Sequence, residues 1–183
     1  FIIEERGLVY QIPDSVDAPD YKQICHWQDI YNKFYAASRL RHLSELSYLK
    51  QHQYSDLWQG LMETFHLFEP DAFGEKLGIK PLGGVLFDGN TLPWLKRCRV
   101  SNYDLLSAFS YLNEFTDENH QLVKINYSSL DVEEFGSVYE GILEMRPFIQ
   151  PGISASEWSF GFVGGLDRKS TSSYYTRPDL VQH

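Results

Sequence analysis

Ser129-Leu130-Asp131-Val132-Glu133-Glu134-Phe135-Gly136-Ser137-Val138-Tyr139-Glu140-Gly141-Ile142-Leu143 is the stretch that decides the fold. Val132, Phe135, Val138, Tyr139, Ile142 and Leu143 recur every three or four residues, which places them on one stripe of a helix. Ser129 or Asp131 supplies the N-cap. Gly136 and Gly141 lie inside this helix, and each costs about 1 kcal/mol relative to Ala. The expected compensation is another backbone packed close to it. A clean helical stripe with no long strand pattern around it points to a mainly α fold.

The flanking sequence agrees. From Tyr21 to Lys50 the residues Ile24, Trp27, Tyr31, Phe34, Leu40, Leu43 and Leu46 keep helical spacing, as one long helix or two in series broken near Ser38. Ser55 caps a further helix carrying Leu57, Trp58, Leu61, Met62, Phe65 and Phe68, which Pro70 ends. Residues 71–99 hold Gly74, Gly78, Gly83, Gly84, Gly89, Pro81 and Pro93, and read as turns with a short helix at most. Ser101-Asn102-Tyr103-Asp104 opens another helix with Leu105, Leu106, Phe109 and Leu112. Tyr111–Phe115 and Leu122–Tyr127 suit a hairpin across a polar turn, Pro147 and Pro151 read as chain breaks, and Trp158–Val163 alternates like a short strand. The expected architecture is a helical bundle-like domain with a small β-hairpin and a short C-terminal strand.

Composition narrows the function classes. The chain has 183 residues, long enough for a sizeable core. Lys+Arg is 16 and Asp+Glu is 25, a formal net charge of −9, which counts against a protein that binds nucleic acid over its whole surface. No apolar run approaches the ~20 residues of a membrane helix. Two cysteines, Cys25 and Cys98, exclude a disulfide framework and a zinc ribbon.

Catalytic signatures are missing. Phe160-Gly161-Phe162-Val163-Gly164-Gly165 has the glycines of a nucleotide loop but no βαβ setting, and reads as strand and turn. Of the six histidines only His26, beside Cys25, has a neighbouring thiol, and adjacent helical residues point apart. Asp71 with Glu75-Lys76 has the wrong order for a nuclease cluster, and Glu133, Glu134, Glu140 and Glu144 read as a solvated helix face. No serine sits in a GxSxG elbow. Arg39, Arg41, His42, Lys50 and His52, and separately Lys96, Arg97 and Arg99, are the basic clusters able to meet phosphates.

A family resemblance supplies what composition does not. Leu130-Asp131-Val132-Glu133-Glu134-Phe135-Gly136-Ser137-Val138-Tyr139-Glu140-Gly141-Ile142-Leu143-Glu144 resembles the "LGSVYEGLLE" segment of Eco57I-like restriction-modification methyltransferases, the fused type II enzymes and their relatives in phage-defence systems such as BREX and DISARM. Arg168-Lys169-Ser170-Thr171-Ser172-Ser173-Tyr174-Tyr175-Thr176 resembles the family's "RKxTGSYYTP" stretch. Phe1-Ile2-Ile3-Glu4-Glu5-Arg6-Gly7-Leu8 resembles its "ExRGLL" helix end, and Pro81-Leu82-Gly83-Gly84-Val85-Leu86-Phe87-Asp88 its "LGGGLFD" loop. The helix segment, Arg168–Thr176 and Phe1–Leu8 match in the family's order, the loop is supportive, and the resemblance spans nearly the whole chain. Ser172 and Arg177 depart from the Gly and Pro the family usually carries there.

The resemblance implies a helical region just ahead of an N6-adenine DNA methyltransferase domain. It implies that Tyr175 and Thr176 approach the cofactor, S-adenosylmethionine, in the full-length parent, with no tight binding expected of this segment alone. The catalytic "NPPY"-type tetrapeptide, which grips a flipped adenine, and the cofactor glycine loop are absent from these residues and expected downstream. Both chain ends read as cut, so the expected organisation is the end of a preceding helix and loop (1–20), a helical connector (21–150) and a lead-in to the methyltransferase domain (151–183). The expected setting is a cytoplasmic defence enzyme that meets double-stranded DNA through other parts, with weak DNA binding by this segment, no membrane, and defence-system proteins as further partners. The competing readings are a free-standing helical interaction module and an independent DNA-binding domain.

Overall fold

The computed structural model describes residues 1–70, 73–82, 90–91, 93–143, 145–152, 154 and 157–164. The fold is mainly α with two small antiparallel strand pairs. The chain divides into two compact units, Phe1–Ser128 and Ser129–His183.

In the first unit, α1 (Ile2–Glu5) precedes a loop, then α2 (Tyr21–Phe34), α3 (Ala37–Ser44), α4 (Asp56–His66) and α5 (Asn102–Asn113). The break between α2 and α3 falls at Tyr35-Ala36, not at Ser38, which lies inside α3. Its cause is not local. Thr64 of α4 donates its hydroxyl to the Tyr35 carbonyl, 2.5 Å away, so the freed end of α2 is satisfied by another helix. Ala36 is 1% exposed and packs with Tyr10, Tyr31, Leu67, Phe68, Leu77 and Ile79 in a first apolar cluster. A second cluster joins Leu40 of α3 to Leu61 of α4 and to Leu105 and Phe109 of α5. Ala36 and the α3 that follows it therefore link both clusters.

The helix starts show two ways of satisfying orphan amides. Ser101 caps α5 by accepting from the Asp104 N–H at 3.1 Å while donating to the Asp104 carboxylate at 2.6 Å. Ser55 precedes α4 without a side-chain cap. Instead Asn102 of α5 accepts from the Leu57 N–H at 3.3 Å and donates to Asp56 at 2.8 Å. α4 ends at His66, one turn before Pro70, and Phe68 turns into the first cluster.

Of the irregular stretch, the described residues hold two short 3-10 turns, Phe73–Leu77 and Leu95–Arg97. Two of its glycines have a steric reason. A Cβ on Gly74 would lie 1.9 Å from the Leu67 carbonyl oxygen, and Gly78 adopts φ +66 against the Trp27 ring. Leu82 packs on the first cluster; Val85, Leu86 and Phe87 lie outside the described residues.

β1 (Glu114–Thr116) pairs with β2 (Leu122–Lys124), with Phe115 opposite Val123. Tyr111, Leu112 and Asn113 belong to α5 rather than to this hairpin. Its turn is held by the Asp117 carboxylate, which accepts from the Asn119 and Gln121 amides at 2.9 and 2.7 Å.

The second unit begins with α6 (Val132–Leu143). Asp131 accepts from the Glu134 N–H at 2.8 Å and Glu134 reaches back to the Asp131 N–H at 3.1 Å, a reciprocal capping box. β3 (Met145–Gln150) then pairs with β4 (Ser159–Gly164) over six residues. Pro147, read from sequence as a break, sits within β3 opposite Phe162. A two-stranded sheet consists of edges alone, so the missing proline N–H need leave no ladder bond unmade.

Candidate docking surface

The second unit carries its apolar side chains outward. Val132, Phe135, Val138, Tyr139, Ile142 and Leu143, the whole stripe of α6, are between 52% and 72% exposed. The hairpin adds to this. Cross-strand partners share a face, so Met145, Pro147 and Ile149 lie with Phe162 and Phe160 on one side. The Phe160 and Phe162 rings meet edge to face, 5.1 Å apart, and both are exposed. On the other side Phe148 covers Gly161, where a Cβ would come within 2.9 Å of its ring. Large exposed apolar patches of this kind mark interaction sites.

The two helix glycines behave differently. Gly136 is buried, whereas Gly141 has nothing within 4 Å of a Cβ built on it. The close backbone expected at Gly141 is therefore not present among the described residues. On the polar side of α6, Glu134 serves the capping box and Glu133 is exposed.

The first unit consumes most of the basic cluster internally. Arg41 pairs with Glu5, donates through Nε to Asn113 and reaches the Ile125 carbonyl at 2.9 Å. Lys50 donates to Ser110 at 2.9 Å, His52 stacks on Tyr103 with ring centroids 4.1 Å apart, and His42 faces Glu45. Arg39 lies by Gly60 of α4 with its Nε buried and unpartnered. In the second cluster the Arg97 guanidinium lies over the Trp94 ring. Groups engaged with neighbours in this way are poorly placed to neutralise phosphates.

Burial is the first cause of the upward shifts of Tyr10, Tyr31 and Tyr127, whereas Tyr21 is raised first by its hydrogen bond with Cys25. Tyr10 is pushed up to about 12 by desolvation, and its hydroxyl donates to the Leu77 carbonyl at 2.9 Å. Tyr31 is raised by burial first and by the Glu4 carboxylate second. Among the described residues no three His, Cys, Asp or Glu side chains are grouped to hold a metal ion, and no helix is long and apolar enough to cross a membrane. Cys25 and Cys98 are free thiols. Tyr175 and Thr176, the residues expected near S-adenosylmethionine, lie outside the described residues, as do Asp71 and Glu144.

Sequence reading missed β3. Apolar Phe148 breaks the alternation of Met145–Gln150 and Pro147 stands inside the run, so the strand signal was incomplete. No family model, curated protein or solved structure matches the chain.

Proposed function

We propose that this chain is the helical connector of an S-adenosylmethionine-dependent N6-adenine DNA methyltransferase from a restriction-modification or phage-defence system, and that it positions the catalytic domain rather than performing chemistry. One observation carries the reading. Residues 130–144, on which the resemblance to those enzymes is most specific, include α6, whose apolar stripe is open. A connector needs such a surface, because the domain it positions must bury something against it. The acidic balance of −9 suits a part that leaves DNA to its neighbours. On this reading Tyr175 and Thr176 belong to the lead-in and approach the cofactor only in the parent.

The test starts with the coding DNA beyond His183. The reading expects a cofactor glycine loop and then an Asn-Pro-Pro-Tyr-like tetrapeptide in frame; a stop codon directly after His183 would overturn it and leave a free-standing interaction module. If the frame continues, Val138→Asp and Ile142→Asp in the parent should lower methylation of target DNA. Because both residues are exposed, the same changes should shift stability of the isolated chain by no more than about 0.5 kcal/mol. Undiminished methylation in both variants removes α6 from domain positioning.

A further inference from the structure

We infer that β4 is an open sheet edge through which two copies of this chain pair, antiparallel, into one four-stranded sheet. Along an antiparallel pair, residues that turn their N–H and C=O to the partner alternate with residues that turn them away. Proline has no N–H to give, so a β3–β4 ladder with every bond made turns Pro147 outward. Met145 and Ile149 turn outward with it. Their partners Phe162, Gly164 and Phe160 then direct their N–H and C=O to the free side of β4. The two edges are therefore unequal. The outer edge of β3 lacks a donor at the middle of its outward residues, and Arg146 adds a charge to that strand, both of which blunt an edge. β4, Ser159-Phe160-Gly161-Phe162-Val163-Gly164, has neither proline nor charge in a chain of net charge −9. Among the described residues it pairs with β3 alone, and Phe160, Phe162 and Val163 are exposed.

A second β4 fits this edge because the strand is complementary to itself. A two-fold axis through Phe162 is the register that engages Phe160, Phe162 and Gly164 of both copies. Phe162 then meets the second copy's Phe162, Phe160 the second copy's Gly164, and Gly161 the second copy's Val163. Large side chains lie beside glycines on both faces, and the one like pair is aromatic, a favourable cross-strand combination. No charges oppose each other in this register. Gly161 already lies under Phe148 of its own β3, so Phe148, Gly161 and the second copy's Val163 alternate large and small across one face. On the other face Phe160 and Phe162, edge to face at 5.1 Å, join their counterparts in one aromatic row. Such a pair is isologous and closes on itself. Both outer edges of the new sheet are β3, interrupted by Pro147, so assembly stops at two. The inference goes beyond the methyltransferase reading and does not depend on it.

The test is sedimentation equilibrium of the full 183-residue chain. Wild type should pass from monomer to dimer as concentration rises. Phe162→Lys and Phe162→Asp each set like charges face to face on the axis, and each should weaken the dimer about tenfold or more. An equimolar mixture of the two should recover it, which a pair of misfolded variants would not do. Ile149→Lys places a charge on the same face at the outer strand and should leave dimerisation unchanged. By amide exchange, Phe160, Phe162 and Gly164 should gain protection as concentration rises, while Met145 and Ile149 should not. A wild-type chain that stays monomeric or associates past the dimer would overturn the proposal. So would a mixture that fails to associate, or Ile149→Lys dissociating the dimer as far as Phe162→Lys does. Protection of the three β4 amides in dilute monomer would also overturn it, because the chain would then cover this edge itself.

Discussion

Replacing Gly78 by alanine tests the steric account of the irregular region. Gly78 sits at φ +66, where an L side chain costs about 1–2 kcal/mol. Its new Cβ would lie 2.4 Å from Trp27 Cε3 and 2.6 Å from Cζ3, against the ~3.5–4.0 Å of an ordinary carbon contact. Trp27 packs against the first apolar cluster, so the ring cannot give the missing ~1 Å freely, and such overpacking costs about 1–3 kcal/mol. Reduced freedom of the unfolded chain returns about 0.4–1 kcal/mol. The net destabilisation is about 1–4.6 kcal/mol. For a unit of the size of Phe1–Ser128 this lowers Tm by roughly 4–18 °C. Thermal and urea unfolding followed by tryptophan fluorescence measure it. Gly60→Ala is the internal control, because its Cβ meets only the Arg39 guanidinium, at an ordinary 3.7 Å, inside α4. That change should be neutral or stabilise by up to about 1 kcal/mol. A Gly78→Ala cost below about 1 kcal/mol, or a Gly60→Ala cost of equal size, would refute the reasoning.

Two further outcomes follow from single contacts. Ser101→Ala removes the hydroxyl that accepts from the Asp104 amide and should cost about 1 kcal/mol in urea unfolding, with Ser101→Gly milder. Tyr10 ionises near 10 when unfolded but only at about 12 when folded. Its contribution is complete below pH 10 and is lost as pH rises from about 10 to 12, because only the unfolded chain sheds the proton there. Raising pH across that range should therefore destabilise wild type by about 2–3 kcal/mol more than it destabilises Tyr10→Phe, whatever the absolute stability of the variant. Equal slopes in unfolding free energy against pH for the two proteins would show that Tyr10 is not the group responsible.

The elements that sequence made legible are those whose causes are local. The stripe and the Asp131–Glu134 capping box of α6 lie within one short segment, as does the Ser101 cap of α5. The misplaced features have distant causes. The end of α2 is fixed by Thr64, 29 residues beyond Tyr35, and the start of α3 by Glu4, 33 residues before Ala37. No window of ten or fifteen residues contains either pair. Arg41 shows the same effect in the candidate site. In sequence it belongs to a basic cluster, yet its partners Glu5, Asn113 and Ile125 take it out of reach of phosphates. β3 escaped for a different reason: Pro147 is a breaker in a central strand but not in a hairpin whose strands are both edges.

α6 shows what periodicity leaves undecided. Spacing tells which side of a helix is apolar, but not what lies against it. The six stripe residues face outward here, and Gly141 has open space where a close backbone was expected. At 100° per residue Gly141 points well away from the middle of that stripe, so a domain docked on the apolar side would not touch it. Its intrinsic penalty is then uncompensated, and Gly141→Ala should stabilise the second unit by about 0.5–1 kcal/mol, read as slower amide exchange across α6. In a methyltransferase parent the same substitution should leave methylation unchanged, while Val138→Asp lowers it. If Gly141→Ala instead destabilises α6 or lowers methylation, a second surface packs on the polar side of the helix, and α6 is held from both faces.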